Sequence, residues 1–292
     1  MRPRTIFPGL LLLSLIPCSA LHAQPGATST GGLDVAPTDV FERDNLVAWC
    51  IVPFDAQARG PAERAEMLAQ LGIKRLAYDW REQHVELFEQ EILELKKRDI
   101  EFFAFWDQHE AIFNLCIKHD IHPQFWITVP SPDANNQQER VAMAGRSLQP
   151  LVERAKSLEC EVGLYNHGGW GGEPANMIQV CAWLREQCET ESVGLVYNLH
   201  HGHGHVDDFK ESLDEMQPFL LCLNLNGMNR DALQKILPIG QGELDDFMLT
   251  TILQSGYAGP IGILDHRSDL DARESLRQNL EGLQAWRERQ DQ

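Results

Sequence analysis

Residues 161–174 read EVGLYNHGGWGGEP, and residues 193–205 read VGLVYNLHHGHGH. Each stretch begins with an apolar run suited to a buried strand, breaks into asparagine, histidine and glycine, and then enters a helical pattern. Polar groups gathered where strands end and helices begin are typical of the active-site face of an α/β barrel. Four of the 11 histidines lie between residues 200 and 205, which favours a functional site over ordinary packing.

The same alternation of strands and helices extends along the chain from residue 46. The eight predicted strands are residues 46–54, 74–78, 100–106, 124–129, 161–166, 193–198, 219–225 and 261–265. The helical patterns between them include residues 61–71, 82–98, 109–119 and 137–157, and a helix that begins at Pro174. Eight such alternations predict an α/β fold, a single (β/α)8 TIM barrel. A doubly wound open sheet is the alternative, but no GxGxxG follows the first strand.

The amino-terminal residues are predicted to be a processing signal, residues 1–23. Two arginines precede an apolar core at residues 10–16 that is too short to span a bilayer, and cleavage is expected after an alanine. An uncleaved anchor is the alternative. Residues 24–44 are small, polar and without periodicity, so we expect a flexible tether there and the barrel at residues 45–292. The prediction is a periplasmic or secreted protein with no membrane span in the mature chain.

The net charge and the cysteines limit the partners and the chemistry of this chain. The formal net charge is −18, which argues against nucleic acid and anionic membrane surfaces as partners. Six of the seven cysteines follow the expected cleavage position, and none belongs to a CxxC pair. We expect mostly free thiols that pack as small apolar groups. The oligomeric state is left open by the sequence.

Residues at the carboxyl ends of barrel strands converge on one mouth. The amides there suit vicinal hydroxyl groups, and the tryptophan rings suit the C–H faces of a sugar, so we predict a small-molecule carbohydrate as the partner. Substrate-binding roles are predicted for Trp80, Arg81, Trp106, Asn166, Trp170, Asn198, Asn224, Asn226 and His266.

Imidazoles and carboxylates from different strands can transfer protons or hold a metal ion. The candidate catalytic residues are His167, His201, Asp265 and Glu173, and the candidate metal ligands are His167, His201 and His203. Each has a structural alternative: the histidines can form ordinary hydrogen bonds, and Glu173 can interact with a helix dipole. Asp79 and Asp107 either pair with arginines or take part in catalysis. The cofactor is one divalent metal ion, zinc or manganese, or there is none; both alternatives stay open.

The order of the strand-end motifs resembles the xylose isomerase-like barrel superfamily, which contains sugar phosphate isomerases and epimerases. The resemblance extends from about residue 46 to residue 267 and rests on YNHGGWGGEP, YNLHHGHGH, LNLNGM (223–228), LPIGQGE (237–243) and GYAGPI (256–261). The whole chain also resembles a secreted bacterial subgroup of that superfamily. The resemblance implies a sugar isomerase or epimerase that abstracts a proton next to a carbonyl group, with or without the help of a metal ion.

The chain departs from the superfamily pattern at the implied metal ligands. The resemblance implies Glu, Asp, His and Glu at the ends of the later strands, where this chain has Tyr165, Asn198, Asn224 and Asp265. A magnesium or manganese site of the usual kind is therefore not expected, and an imidazole-rich site would favour zinc, nickel or copper. Two further functions stay open, a keto-sugar lyase with the same first step and a non-catalytic periplasmic sugar-binding barrel.

Overall fold

A computed structural model of the chain describes residues 40–290. Its eight strands form one closed parallel barrel, in which each strand pairs with the next along the chain and the eighth pairs with the first. The strands are β1 (Leu46–Trp49), β2 (Arg75–Tyr78), β3 (Glu101–Trp106), β4 (Gln124–Thr128), β5 (Glu161–Tyr165), β6 (Val193–Asn198), β7 (Leu220–Leu225) and β8 (Ile261–Leu264). The predicted (β/α)8 TIM barrel is confirmed.

A helix follows each strand, and several helix ends reflect local backbone chemistry. The helices are α1 (Pro61–Leu71), α2 (Phe88–Lys96), α3 (Glu110–His119), α4 (Gln137–Ser157), α5 (Pro174–Cys188), α6 (Phe209–Met216), α7 (Asp245–Ser255) and α8 (Ala272–Gln290). Proline begins α1 and α5. The backbone N–H groups of a first turn have no partner within the helix, so a residue without an N–H loses no hydrogen bond there. Gly72 ends α1 with a φ of 69°, a left-handed conformation that glycine adopts without strain.

Large aromatic side chains fill the barrel interior and form the floor of the mouth. Trp49, Trp126 and Tyr165 all point inward from their strands. The rings of Trp49 and Trp126 lie 4.8 Å apart, edge to face. Gly163 provides the space for this packing, because a Cβ there would lie 2.9 Å from the indole of Trp126. The outer faces of the strands pack against the helices in a larger apolar core.

The predicted signal peptide, residues 1–23, and most of the predicted tether lie outside the described residues. Within the last part of the tether, Val40 and Phe41 are buried, and the ring of Phe41 packs edge-on against Trp286 of α8 at 5.5 Å. The packed structure therefore already includes residue 40. Among residues 40–290, no helix combines the length and the apolar character needed to cross a membrane. The six cysteines of this part of the chain are free and buried.

Candidate active site

A cavity of about 230 Å³ opens at the carboxyl ends of the strands. Its walls contain the rings of Trp49, Phe54, Trp106 and Tyr165, the imidazoles of His167, His200, His201 and His266, and the side chains of Cys50, Asp79, Arg81, Asn198 and Leu264. Cavities for drug-sized ligands have volumes of about 300 Å³ and above, so this one suits a smaller molecule. An aromatic wall with a few polar groups is the composition expected of a small-molecule site.

Four imidazoles form a cluster on one side of the cavity. Ring centroids lie 4.6 Å apart for His167 and His201, 4.4 Å for His200 and His201, and 5.3 Å for His200 and His266. Burial, together with the repulsion between neighbouring imidazoles, lowers the pKa of His201 to about 3 and that of His200 to about 4. These two rings are therefore neutral at pH 7, and each offers one N–H donor and one acceptor nitrogen.

Asp79, the first residue after β2, is the one carboxylate that lines this cavity among the described residues. The residue is 2% exposed, and its Oδ1 accepts a hydrogen bond from the backbone N–H of Val52 at 3.3 Å. Its Oδ2 is buried and has no hydrogen-bond partner within residues 40–290. Burial raises the pKa of Asp79 to about 7, against the opposing charge of Arg81. Such a carboxyl group can accept and release a proton near neutral pH.

A hydrogen-bond network ties the ends of β5 and β6 together. The Tyr165 hydroxyl oxygen accepts hydrogen bonds from Trp49 Nε1 at 3.2 Å and from Asn198 Nδ2. Asn198 Oδ1 accepts from the backbone N–H of His200 at 3.0 Å, which defines the orientation of the amide. Asn166 Oδ1 accepts from the Asn198 backbone N–H at 2.7 Å, and Asn166 Nδ2 donates to the Asn198 carbonyl at 3.0 Å. Tyr165 and Asn198 are thus held rigidly at the floor of the cavity.

The cavity brings together only part of the set predicted from the sequence. The predicted residues that line it are Arg81, Trp106, His167, Asn198, His201 and His266. The predicted residues outside its lining are Trp80, Asn166, Trp170, Glu173, His203, Asn224, Asn226 and Asp265.

Several residues outside the lining support nearby loops. Trp80 Nε1 donates to the Trp106 carbonyl at 2.8 Å, and Trp170 Nε1 donates to Gln137 Oε1 at 3.1 Å. Glu173 precedes α5 and pairs with His205 Nε2 at 2.9 Å.

The two asparagines of the seventh strand region are also buried. Asn226 Nδ2 donates to the Lys235 carbonyl at 3.0 Å and so holds the loop that follows β7. Asn224 faces the barrel interior, and its amide lies against the backbone of Gly262 on β8. A side chain at Gly262 would collide with this amide, so the glycine makes room for it.

Solved structures similar to this chain share one architecture. IolI protein with a bound zinc atom is 11% identical, with a TM-score of 0.62 over 83% of this chain and 97% of that chain. A xylose isomerase domain protein from Planctomyces limnophilus is 12% identical, with a TM-score of 0.59 over 84% of this chain and 96% of that chain. The 3-keto-D-glucoside 4-epimerase YcjR from E. coli is 12% identical, with a TM-score of 0.59 over 84% and 99%. No family model matches this chain, and neither does a curated protein.

This chain shares the TIM barrel fold of these proteins, among them the xylose isomerase domain protein. The resemblance inferred from the strand-end motifs is confirmed at the level of the fold. At identities of 11% and 12%, the likeness extends to the architecture and not to the reaction.

The structure corrects one of the four metal-ligand positions that the resemblance implied. Asp265 was expected at the position of the last-strand glutamate, but Leu264 faces the barrel interior and Asp265 faces α8 instead. Successive residues of a strand point to opposite faces, so a shift of one residue exchanges the two sides. The inner-wall positions of the implied metal ligands are therefore held by Tyr165, Asn198, Asn224 and Leu264, and none of these carries a charge.

Asp265 lies behind the wall of the cavity. It is completely buried, and its Oδ1 lies 3.8 Å from Arg267 Nε, within the range of an ion pair. Burial raises the pKa of Asp265 to about 7, against the opposing effects of the Ser275 hydroxyl and of Arg267. Neither carboxyl oxygen has a hydrogen-bond partner within residues 40–290, and Asp265 does not line the cavity.

The residues at the mouth do not fit the predicted metal site. His167 and His201 are neighbours, but His203 lies outside the lining, with its Nδ1 3.4 Å from the His200 carbonyl. In the part of the chain from residue 40 to residue 290, no group of three or more His, Cys, Asp or Glu side chains is arranged to hold a metal ion. Divalent ions need several convergent donors, and the usual zinc and manganese sites include anionic ones.

The sequence patterns missed the contribution of the loop that follows β1. Trp49, Cys50 and Phe54 line the cavity, and Cys50 has a φ of 60°, a left-handed conformation that turns the chain at the strand end. The only sequence signal is the apolar run at residues 46–54, and its pattern predicts one continuous strand. The sequence marks Tyr165 only as a replacement for a glutamate, although its hydroxyl accepts two hydrogen bonds at the floor of the cavity.

Proposed function

We propose that this protein is a carbohydrate isomerase or epimerase that abstracts a proton from the carbon next to a carbonyl group. The observation that carries the proposal is Asp79, the cavity carboxylate with an unpartnered oxygen and a pKa near 7. A base whose pKa lies near the working pH can remove a proton and return it. The 3-keto-D-glucoside 4-epimerase of the same fold acts on a related class of molecule and supports this direction.

The remaining groups of the cavity suit the other requirements of this reaction. The rings of Trp49 and Trp106 form an apolar wall for the C–H face of a sugar, and their centroids lie 5.8 Å apart. His167 and His201 follow β5 and β6, on the other side of the barrel from Asp79. In an epimerisation His167 would carry the proton that returns to the opposite face of the carbon, and the neutral His201 would hydrogen-bond to a hydroxyl group of the sugar. No step is assigned to a metal ion.

Solvent exchange tests this function directly. The purified protein is incubated in D₂O with ketohexoses and with 3-keto-glucosides, and deuterium at the carbon next to the carbonyl is followed by NMR. Asp79→Asn should reduce the exchange rate by about 10²–10⁴-fold, the usual contribution of a general base. Asp133→Asn, a change at an exposed residue, is the matched control and should leave the rate unchanged. Turnover without deuterium at any carbon, or full exchange by Asp79→Asn, would contradict the proposal.

A sugar-binding barrel without catalysis is the second candidate, and the uncharged residues at the four implied metal-ligand positions favour it. Calorimetry with the same sugars separates the two: binding without exchange or product would support the binding protein. A lyase uses the same first step, so it would show exchange together with an unsaturated product.

We also propose that the protein acts in the periplasm or outside the cell. The proposal rests on the basic, apolar and small residues of positions 1–23. Cell fractionation and amino-terminal sequencing of the mature protein test it, with Gln24 as the expected first residue. An intact amino terminus on protein recovered from the cytoplasm would contradict it.

A further inference from the structure

The Tyr165 hydroxyl occupies an unusual hydrogen-bonding position at the floor of the cavity. The side chain is 2% exposed and lines the cavity at the end of β5. Its oxygen accepts from Trp49 Nε1 at 3.2 Å and also from Asn198 Nδ2. Both partners act here only as donors, because neither an indole N–H nor an amide NH2 can accept a hydrogen bond. The His200 backbone N–H on Asn198 Oδ1 defines which end of the amide faces the phenol.

These two bonds define the direction of the phenolic proton. A hydroxyl oxygen has two lone pairs, and both of those of Tyr165 are used. The proton must therefore point away from Trp49 and Asn198, and no acceptor for it lies within hydrogen-bond distance among residues 40–290. The remaining open direction is the cavity. Burial raises the pKa of Tyr165 above its ordinary value, so the phenol stays protonated at neutral pH and available as a donor.

We propose that Tyr165 is the group that binds the carbonyl oxygen of the substrate, in the role that a metal ion would otherwise have in such a reaction. The inference rests on the proposed isomerase or epimerase function. It names a neutral sugar with a hydroxyl group next to its ketone or aldehyde as the substrate class, since Arg81 is the one arginine or lysine in the cavity lining among the described residues.

The chemical step balances without any further reactant. The Asp79 carboxylate takes the proton from the carbon next to the carbonyl, and the electron pair of that C–H bond forms the carbon–carbon double bond. The carbonyl π pair moves onto oxygen, and the resulting oxyanion accepts a hydrogen bond from the Tyr165 hydroxyl. The two N–H donors on the phenol oxygen stabilise the charge that it shares. A preorganised donor of this kind is most effective in a site that excludes water.

Two tyrosine variants test the inference, both assayed in the presence of a chelator. Tyr165→Phe removes the hydroxyl and keeps the ring, and Tyr197→Phe does the same at a buried tyrosine of β6 that does not line the cavity. We expect solvent exchange to fall about 10²–10³-fold in Tyr165→Phe, as for the loss of one oxyanion donor, and to stay unchanged in Tyr197→Phe. Equal exchange rates in wild type and Tyr165→Phe would overturn the inference, and so would loss of wild-type exchange in the chelator.

A binding measurement keeps this test independent of turnover. D-arabinonohydroxamate, a planar mimic of the enediolate, is titrated calorimetrically in the chelator into the wild type and both variants. We expect Tyr165→Phe to bind it at least tenfold more weakly, and Tyr197→Phe to bind it like the wild type. The wild type could show no exchange with any sugar and still bind the probe more tightly than Tyr165→Phe does. That result would refute the proposed reaction and support Tyr165 as a hydrogen-bond donor to the ligand. Equal affinities of wild type and Tyr165→Phe for the probe, or no binding by the wild type, would overturn the inference that Tyr165 donates to the ligand.

Folding of the variant is checked by thermal melting, because Tyr165→Phe leaves two buried donors without an acceptor. Where Tyr165→Phe does not fold, Trp49→Phe is decisive. This change frees one lone pair of the phenol, so the proton is no longer directed only at the cavity. Because Trp49 also forms part of the apolar wall, D-arabinitol, which has no carbonyl oxygen, is titrated beside the probe. A loss of affinity in Trp49→Phe that is greater for the hydroxamate than for D-arabinitol supports the inference, and equal losses overturn it.

Discussion

Asp79→Asn should stabilise the protein at pH 8 although it removes the proposed base. Burial raises the pKa of Asp79 from an ordinary 3.8 to about 7, and the residue is only 2% exposed, so solvent screens its charge poorly. A pKa that is higher by about three units costs the ionised folded state about 4 kcal/mol, at about 1.36 kcal/mol per unit. Asparagine is neutral at every pH and retains an acceptor for the Val52 N–H. We therefore expect the variant to be more stable by about 2–4 kcal/mol at pH 8.

The gain should depend on pH in a defined way. Below about pH 4 the carboxyl group of Asp79 is protonated in both the folded and the unfolded chain, so its burial costs the wild type no ionisation energy. As the pH rises towards 7, the unfolded chain releases this proton while the folded chain still holds it, so the free energy of unfolding of the wild type falls. The difference between variant and wild type should thus be small at pH 4 and reach its full value at pH 8. Asp265 has a pKa raised to about 7 as well, but its contribution is common to both proteins and cancels.

Urea unfolding at both pH values, followed by tryptophan fluorescence, measures this difference. In a thermal melt at pH 8, the Tm should rise by about 2–4 °C for each kcal/mol gained. Asp133→Asn at an exposed position should change the free energy of unfolding by less than about 0.5 kcal/mol. Equal stability of Asp79→Asn and wild type at pH 8, or a gain of the same size at pH 4, would refute the assignment of Asp79 as a buried group with a raised pKa.

Two further predictions concern the packing outside the mouth. Glu91 accepts a hydrogen bond from Arg64 at 2.6 Å, and both residues are buried. Glu91→Ala should therefore lower the free energy of unfolding, measured with urea, by about 3–5 kcal/mol. Glu91→Met combined with Arg64→Met should restore most of this loss. A Cβ at Gly282 of α8 would overlap the Ile239 carbonyl oxygen, so Gly282→Ala should lower the free energy of unfolding by about 1–3 kcal/mol. Gly204→Ala, where a Cβ meets nothing within 4 Å, should leave it nearly unchanged.

Local signals in the sequence were sufficient for some elements and not for others. The bounds predicted for α1 and α4 are those of the structure, because a proline and a glycine delimit α1 and Asn136 caps α4. The first strand was predicted too long, to residue 54, whereas β1 ends at Trp49. Ile51 and Val52 are buried in the following loop. Apolar character indicates burial, and burial alone does not distinguish a strand from a loop that crosses the mouth of a barrel.

The position of the site could be predicted, but the direction of each side chain could not. Barrel geometry brings strand ends together, and this rule placed His167, His201 and Arg81 at the mouth, where the structure has them. Beyond a strand end, direction depends on individual dihedral angles. His266 has a φ of 51°, and it lines the cavity whereas Asp265 faces α8. No periodic pattern in the sequence carries that information.

Tyr165 and Asn198 stand where the resemblance implies two acidic metal ligands, and their hydrogen bonding explains why the two residues occur together. A carboxylate at position 198 could only accept a hydrogen bond, so the Tyr165 phenol would donate its proton to it and present only lone pairs to the cavity. The amide of Asn198 reverses this bond, since Nδ2 donates to the phenol oxygen and Oδ1 is occupied by the His200 backbone N–H. Trp49 supplies the second donor. Tyrosine at position 165 and asparagine at position 198 therefore belong together: the pair that removes two anionic ligands from the inner wall also creates a hydroxyl donor directed at the ligand.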